Sequence, residues 1–184
     1  MNAATSTALP RDRPAVVTGE GRSDDEFQQF LYALIERQPF FKGLTPQQLR
    51  GLAGAALEME FKPGQVLFEE GSPANRFYLI LKGRVELAAE MEDRNVIPIQ
   101  TLGPGDDLGW SWLFPPYHTH FSARAMEPTT TLFFYAPRLR EQCETDHELG
   151  YQIMRRVAAV ATLSLGATQR RLMHYIDENT PEKT

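Results

Sequence analysis

Between residues 56 and 135 the chain is a series of short, alternating apolar runs, each closed by a glycine or proline turn, and helical periodicity flanks this stretch on both sides. Leu57, Met59 and Phe61 interleave with Glu58 and Glu60, the period of a half-buried strand. Lys62-Pro63-Gly64-Gln65 turns into Val66-Leu67-Phe68, and Glu70 to Asn75 turns into Phe77–Leu81. Lys82-Gly83 separates that run from Val85 and Leu87. Val96, Ile97, Ile99 and Leu102 continue the series, and Pro98 requires an edge strand or a bulge because proline has no N–H to give a ladder. Two further strands are predicted around Phe121–Met126 and Thr130–Tyr135. Short strands with this punctuation predict a mainly β fold with flanking helices: an antiparallel sandwich, barrel or jelly-roll-like β-roll. Gly64, Gly71, Gly83, Gly103 and Gly105 fall at strand junctions, where a positive φ is often needed.

Before the strands, Ser23 and the acidic run Asp24-Asp25-Glu26 predict the capped start of a helix carrying Phe27, Phe30, Leu31, Leu34 and Ile35. Pro39 ends it. Thr45-Pro46 opens a second helix, with Leu49, Leu52 and Ala53 as its apolar stripe. After Pro137, a short helical segment at Arg138–Cys143 leads into a long helix from about His147. In that helix Met154, Ala158, Ala161, Leu165, Thr168 and Leu172 recur in a heptad-like 4,3,4,3,4 rhythm. This seam of mostly small residues predicts a homodimer interface, while a second stripe of Ile153, Val157, Val160 and Leu163 is expected to lie on the β region. The predicted organisation is therefore a disordered tail at 1–23, helices and β-roll at 24–145, a dimerisation helix at 146–177, and a tail at 178–184.

With 184 residues the chain suits one domain with a sizeable core. The net charge of -5 argues against a basic nucleic-acid binder. No apolar run approaches the roughly 20 residues of a membrane span. The single cysteine, Cys143, allows no internal disulfide, and the expected location is the cytoplasm.

Several phrases, in this order, resemble the cyclic nucleotide-binding domain, and most closely the sensor half of Crp/Fnr-type bacterial regulators. They are Pro39-Phe40-Phe41-Lys42-Gly43-Leu44, Phe61 to Phe68, Gly71 to Ile80, Gly83-Arg84-Val85 and Leu102-Gly103-Pro104-Gly105-Asp106. The resemblance covers about residues 28–175. It implies a cradle after the Gly105 turn, where backbone N–H groups at a short helix meet a cyclic phosphate. A glutamate there takes the ribose hydroxyl proton, and an arginine further along pairs with the phosphate. In this chain Trp110 stands at the glutamate position, and the arginine position falls on His118 or Thr119. Tryptophan can donate a hydrogen bond but cannot accept one. Arg124 alternates with Phe121, Ala123 and Ala125 and is expected to face outward.

Leu108, Gly109, Trp110, Ser111, Trp112, His118, Thr119 and Ser122 are thus the candidate ligand-binding residues of a degenerate cradle. The aromatics there either fill the vacated cavity or line a pocket for another ligand. No cofactor is expected, and a cyclic nucleotide is disfavoured. His118-x-His120 is a weak metal motif. Cys143, near Arg138 and Arg140, is read as a buried thiol in preference to a redox sensor, and the arginine pairs 155–156 and 170–171 as solvated flanks. No catalytic constellation is present in the sequence, so no enzymatic activity is expected. The few residues after the long helix leave no space for the helix-turn-helix that follows it in Crp/Fnr regulators, so no direct DNA binding is expected. The partners expected are a second copy of the chain and a regulated protein.

Overall fold

The computed structural model describes residues 14–17, 23–90 and 96–179. Among the described residues, nine strands form two antiparallel sheets. The first holds β1 (Ala15–Val17), β2 (Ala56–Phe61), β9 (Thr129–Tyr135), β4 (Arg76–Lys82) and β7 (Asp107–Leu108), in that spatial order. The second is ordered β3 (Val66–Phe68), β8 (Ser122–Ala125), β5 (Val85–Glu90) and β6 (Val96–Leu102). β6 is an edge strand and the β5–β6 register shifts at Leu87/Ala88, so Pro98 has both of the allowances it requires.

The first sheet has apolar residues on both faces, and the period of two divides them between two cores. Phe77 and Leu79 of β4, with Leu132 and Phe134 of β9, face the helices. Tyr78 and Ile80 face the roll interior, where they meet Phe61, Val85, Leu87 and Leu108. Four helices cover the outer face: α1 (Asp24–Glu36), α2 (Pro46–Ala53), α3 (Ala136–Thr145) and α4 (His147–Asn179). Ser23 and Thr45 close capping boxes with Glu26 and Gln48, as the sequence predicts for both helix starts. Gln48 Nε2 also donates to Asp146 Oδ2 at 3.1 Å, while Asp146 Oδ1 accepts from Leu149 N at 2.9 Å. Those two bonds, the backbone one first, lower the pKa of the Asp146 carboxyl.

Several expectations need correction. Ala15–Val17 lies inside the predicted tail but pairs with β2 through Ala15↔Glu60 and Val17↔Glu58; residues 1–13 and 18–22 lie outside the described residues. A three-residue strand is too short to show a period, and its order comes from a partner strand far away in sequence. Leu57 is exposed, although its neighbour Ala56 and the far end of β2 at Phe61 are buried. Gly103 is not in the positive-φ region, whereas Gly64, Gly71, Gly83 and Gly105 are, joined by Gly43 and Gly109. The helix before α4 is longer than Arg138–Cys143, starting at Ala136 with Pro137 in its first turn.

Along α4, Ile153 and Val157 are buried and Val160 half-buried against the body, but Leu163 is 72% exposed. Ser164 takes the fourth place on the packed face, at 8% exposure. Nor are the arginine pairs merely solvated. Arg156 donates to Lys42 O at 2.7 Å and Arg171 Nε to Pro98 O at 3.0 Å, so α4 is tied at two levels along the body.

Candidate functional site

β7 carries the chain into the predicted cradle, pairing Leu108 with Tyr78 and Asp107 with Leu79. Gly109 follows with φ +87°, and a Cβ there would stand 2.5 Å from Arg76 O. The position therefore needs glycine twice over, for its backbone angle and for the close approach of β4. A 3-10 turn at Trp110–Leu113 comes next. Its two tryptophans part company. Trp112 is fully buried in the helix-facing core, 5.8 Å from the Phe77 ring, and so is not a ligand-facing residue. Trp110 lines a cavity, with the His120 ring 5.3 Å away and tilted by 30°.

That cavity has a volume of about 110 Å³. It lies between the cradle turn, the roll wall at Phe68, Leu87 and Leu102, and α4, which closes it with Val160, Leu163 and Ser164. Of the sequence-predicted site residues, Leu108, Gly109, Trp110, Ser111 and Thr119 line it, and Trp112, His118 and Ser122 do not. Ser122 Oγ accepts from Glu70 N at 3.0 Å. His118 bridges to Pro73 through its backbone, and its Nδ1 lies 2.8 Å from Pro116 O. Of the two positions where the resemblance implies an arginine, Thr119 lines the cavity and His118 does not. Its hydroxyl is engaged by the neighbouring turn, donating to Glu69 O at 2.6 Å.

Among the described residues, the lining contains no lysine or arginine. Arg124 faces outward as predicted and donates to Gly64 O at 2.6 Å; with Arg76 and Lys62 it lines a separate, open groove of about 670 Å³. What the cradle cavity holds instead is acid. Asp106 accepts from Gly103 N at 2.8 Å and serves its turn. Asp107 has a buried Oδ2 with no protein hydrogen-bond partner. Burial, opposed by a bond from its own backbone N–H and aided by the charge of Asp106, pushes the Asp107 carboxyl up to about 7. Asp106, Asp107 and His120 are the site residues that sequence reasoning missed; the acids stand in the cradle phrase itself, but only the closure of α4 over them makes a cavity.

The other candidates resolve simply. Among the described residues no group of three or more His, Cys, Asp or Glu is placed to hold a metal ion. Burial, with the charges of Asp146 and Glu144, pushes the Cys143 thiol up to about 11, away from the reactive thiolate range. No helix among the described residues is long and apolar enough to cross a membrane.

Comparison with known proteins agrees with this fold. The family model of the cyclic nucleotide-binding domain matches residues 58–146. The crystal structure of a cyclic nucleotide-binding-type protein from Geobacter metallireducens is 34% identical, covers 75% of this chain and 97% of its own, and superposes with a TM-score of 0.65. The chain belongs to the cyclic nucleotide-binding domain family. A CRP-like cAMP-activated global transcriptional regulator from Mycobacterium tuberculosis is 25% identical over 125 residues, which is 68% of this chain and 56% of that regulator. This chain thus matches little more than half the length of that relative. The sensor domain of the transcriptional regulator DNR from Pseudomonas aeruginosa shares the fold, with a TM-score of 0.62 at 21% identity over 86% of this chain and 99% of that one.

Proposed function

We propose that this chain is a non-enzymatic regulatory module that keeps the cyclic nucleotide-binding fold but does not use a cyclic nucleotide. The observation that carries this reading is the cradle lining: Trp110 and Thr119 stand where the resemblance implies a carboxylate and a guanidinium, and the lining includes the acids Asp106 and Asp107. One charge-assisted hydrogen bond contributes roughly 1.5–3 kcal/mol, and about 1.4 kcal/mol is tenfold in affinity. Losing both contacts weakens a cyclic nucleotide by about two orders of magnitude before the acid is counted. At about 110 Å³ the cavity is also well below the roughly 300–1,000 Å³ of small-molecule pockets.

In this reading the output is protein contact in the cytoplasm, made by a homodimer that joins through the outward face of α4. Met154, Ala158, Ala161, Leu165, Thr168 and Leu172 lie to one side of the packed face, and Met154, Leu165 and Leu172 are at least half exposed. The test is calorimetric titration of the intact chain with cyclic AMP and cyclic GMP, run beside sedimentation. Absence of saturable heat in a dimer supports the reading, whereas micromolar binding of either nucleotide overturns it.

A further inference from the structure

The basic residues that the cradle lacks line a groove elsewhere on the roll. It runs beside β3, which ends its sheet, and along the turns on either side of that strand. Its volume of about 670 Å³ falls within the roughly 300–1,000 Å³ of small-molecule sites, a range the cradle cavity does not reach. Three cationic residues line it, Lys62, Arg76 and Arg124, against one acid, Glu69, in a chain of net charge -5. Much of the remaining lining is apolar, including Pro63, Val66 and Pro73.

Both guanidiniums are held by the backbone. Arg124 Nη1 donates to Gly64 O at 2.6 Å and Arg76 Nη1 to Leu67 O at 2.9 Å. Neither is paired with a carboxylate among the described residues. A carbonyl fixes a guanidinium without neutralising it, and leaves other N–H groups of the fork to bind. Charged side chains also guard edge strands against pairing, but that task needs no hollow of ligand size.

We infer that this groove binds a small organic dianion, an apolar body carrying carboxylate or phosphate groups, with Arg124 and Arg76 as its anchors. Two guanidiniums without acid partners call for two negative charges, and each suits the paired oxygens of a carboxylate or phosphate. The apolar lining favours a carbon body over an inorganic ion. Glu69 repels an anion and so limits its affinity. Phe68 and Thr119 line both groove and cradle, but the cationic residues belong to the groove alone. The site therefore stands whether or not the cradle takes a nucleotide.

Isophthalate and phenyl phosphate, both dianions near pH 7.5, are compared with neutral isophthalamide and with inorganic phosphate. Each is titrated into the intact, nitrogen-labelled protein at constant ionic strength. The Gly64 amide reports the groove, the Trp110 indole the cradle, and the buried Trp112 indole general effects. At least one organic dianion is expected to move Gly64 saturably, and which one does so separates a carboxylate from a phosphate ligand. Isophthalamide should be about tenfold weaker or more, the size of one charge-assisted hydrogen bond, and inorganic phosphate should also be weaker. Arg124→Gln should weaken the response about tenfold or more, with both indole resonances unmoved. Glu69→Gln should strengthen it about twofold or more by removing a like charge, a gain that damaged folding cannot give. Silence at Gly64 from both organic dianions, or an equal response to isophthalamide or inorganic phosphate, overturns the inference. So does an unchanged response in Arg124→Gln, a weaker one in Glu69→Gln, or a dianion response at Trp110 alone.

Discussion

At Gly109 the chain turns from β7 into the cradle with φ +87°, against the carbonyl of Arg76. Gly64 has a similar φ of +82°, but nothing lies within 4 Å of where its Cβ would be. The pair separates backbone strain from steric approach. Gly64→Ala should cost about 1 kcal/mol, whereas Gly109→Ala should cost about 2 kcal/mol or more, lowering Tm by about 5 °C or more. Equal Tm values for the two variants would contradict the close approach of β4. Asp107 gives a second prediction at this scale. Burial pushes its carboxyl up to about 7 when folded, against an ordinary value of 3.8. Between those limits the folded chain holds the proton that the unfolded chain releases, so this group's contribution to stability falls as pH rises from about 4 to 7 and is flat above. The shift corresponds to roughly 4 kcal/mol at most, and Asp107→Asn removes it. Denaturant unfolding across that range should therefore show Asp107→Asn gaining on the parent chain as pH rises, levelling off above 7.

At the scale of elements, α4 carries half of the exposed large apolar side chains among the described residues, seven of fourteen, which is more than one helix packed only on its own body needs. Leu165 is 59% exposed and touches neither core cluster. Leu165→Asp should leave Tm nearly unchanged while converting a dimer to a monomer in sedimentation; a monomeric parent chain would remove the proposed interface. Most of the strands, the two capped helices and the long helix α4 were legible in the sequence because each is written in local periodicity or local hydrogen bonding. β1 and β7 were not, since strands of three and two residues owe their order to partners far away in the chain. The misplacement of Leu163 has a physical cause too. Hydrophobicity favoured the leucine for the packed stripe, but the helical repeat after Val160 brings the small Ser164 there, where α4 lies close over the roll.

For the whole molecule, one sheet shared by two cores holds the cradle turn rigidly, with Trp112 locked into one core and Leu108 into the other. α4 then closes the space that remains. That Trp110 and the region of Thr119 stand where the resemblance implies a carboxylate and an arginine could be read from the sequence, because both lie at fixed distances from recognisable turns. That the two aspartates of the cradle phrase line a cavity could not, because the space forms only when they meet Phe68, His120 and Ser164, which come from other parts of the chain. The central claim is that this family fold no longer serves a cyclic nucleotide. Calorimetric titration of the intact chain with cyclic AMP at pH 7.5 or so measures it most directly. The account predicts no saturable heat at nucleotide concentrations up to about a millimolar, consistent with the two missing contacts. Saturable binding with a Kd in the micromolar range would contradict it.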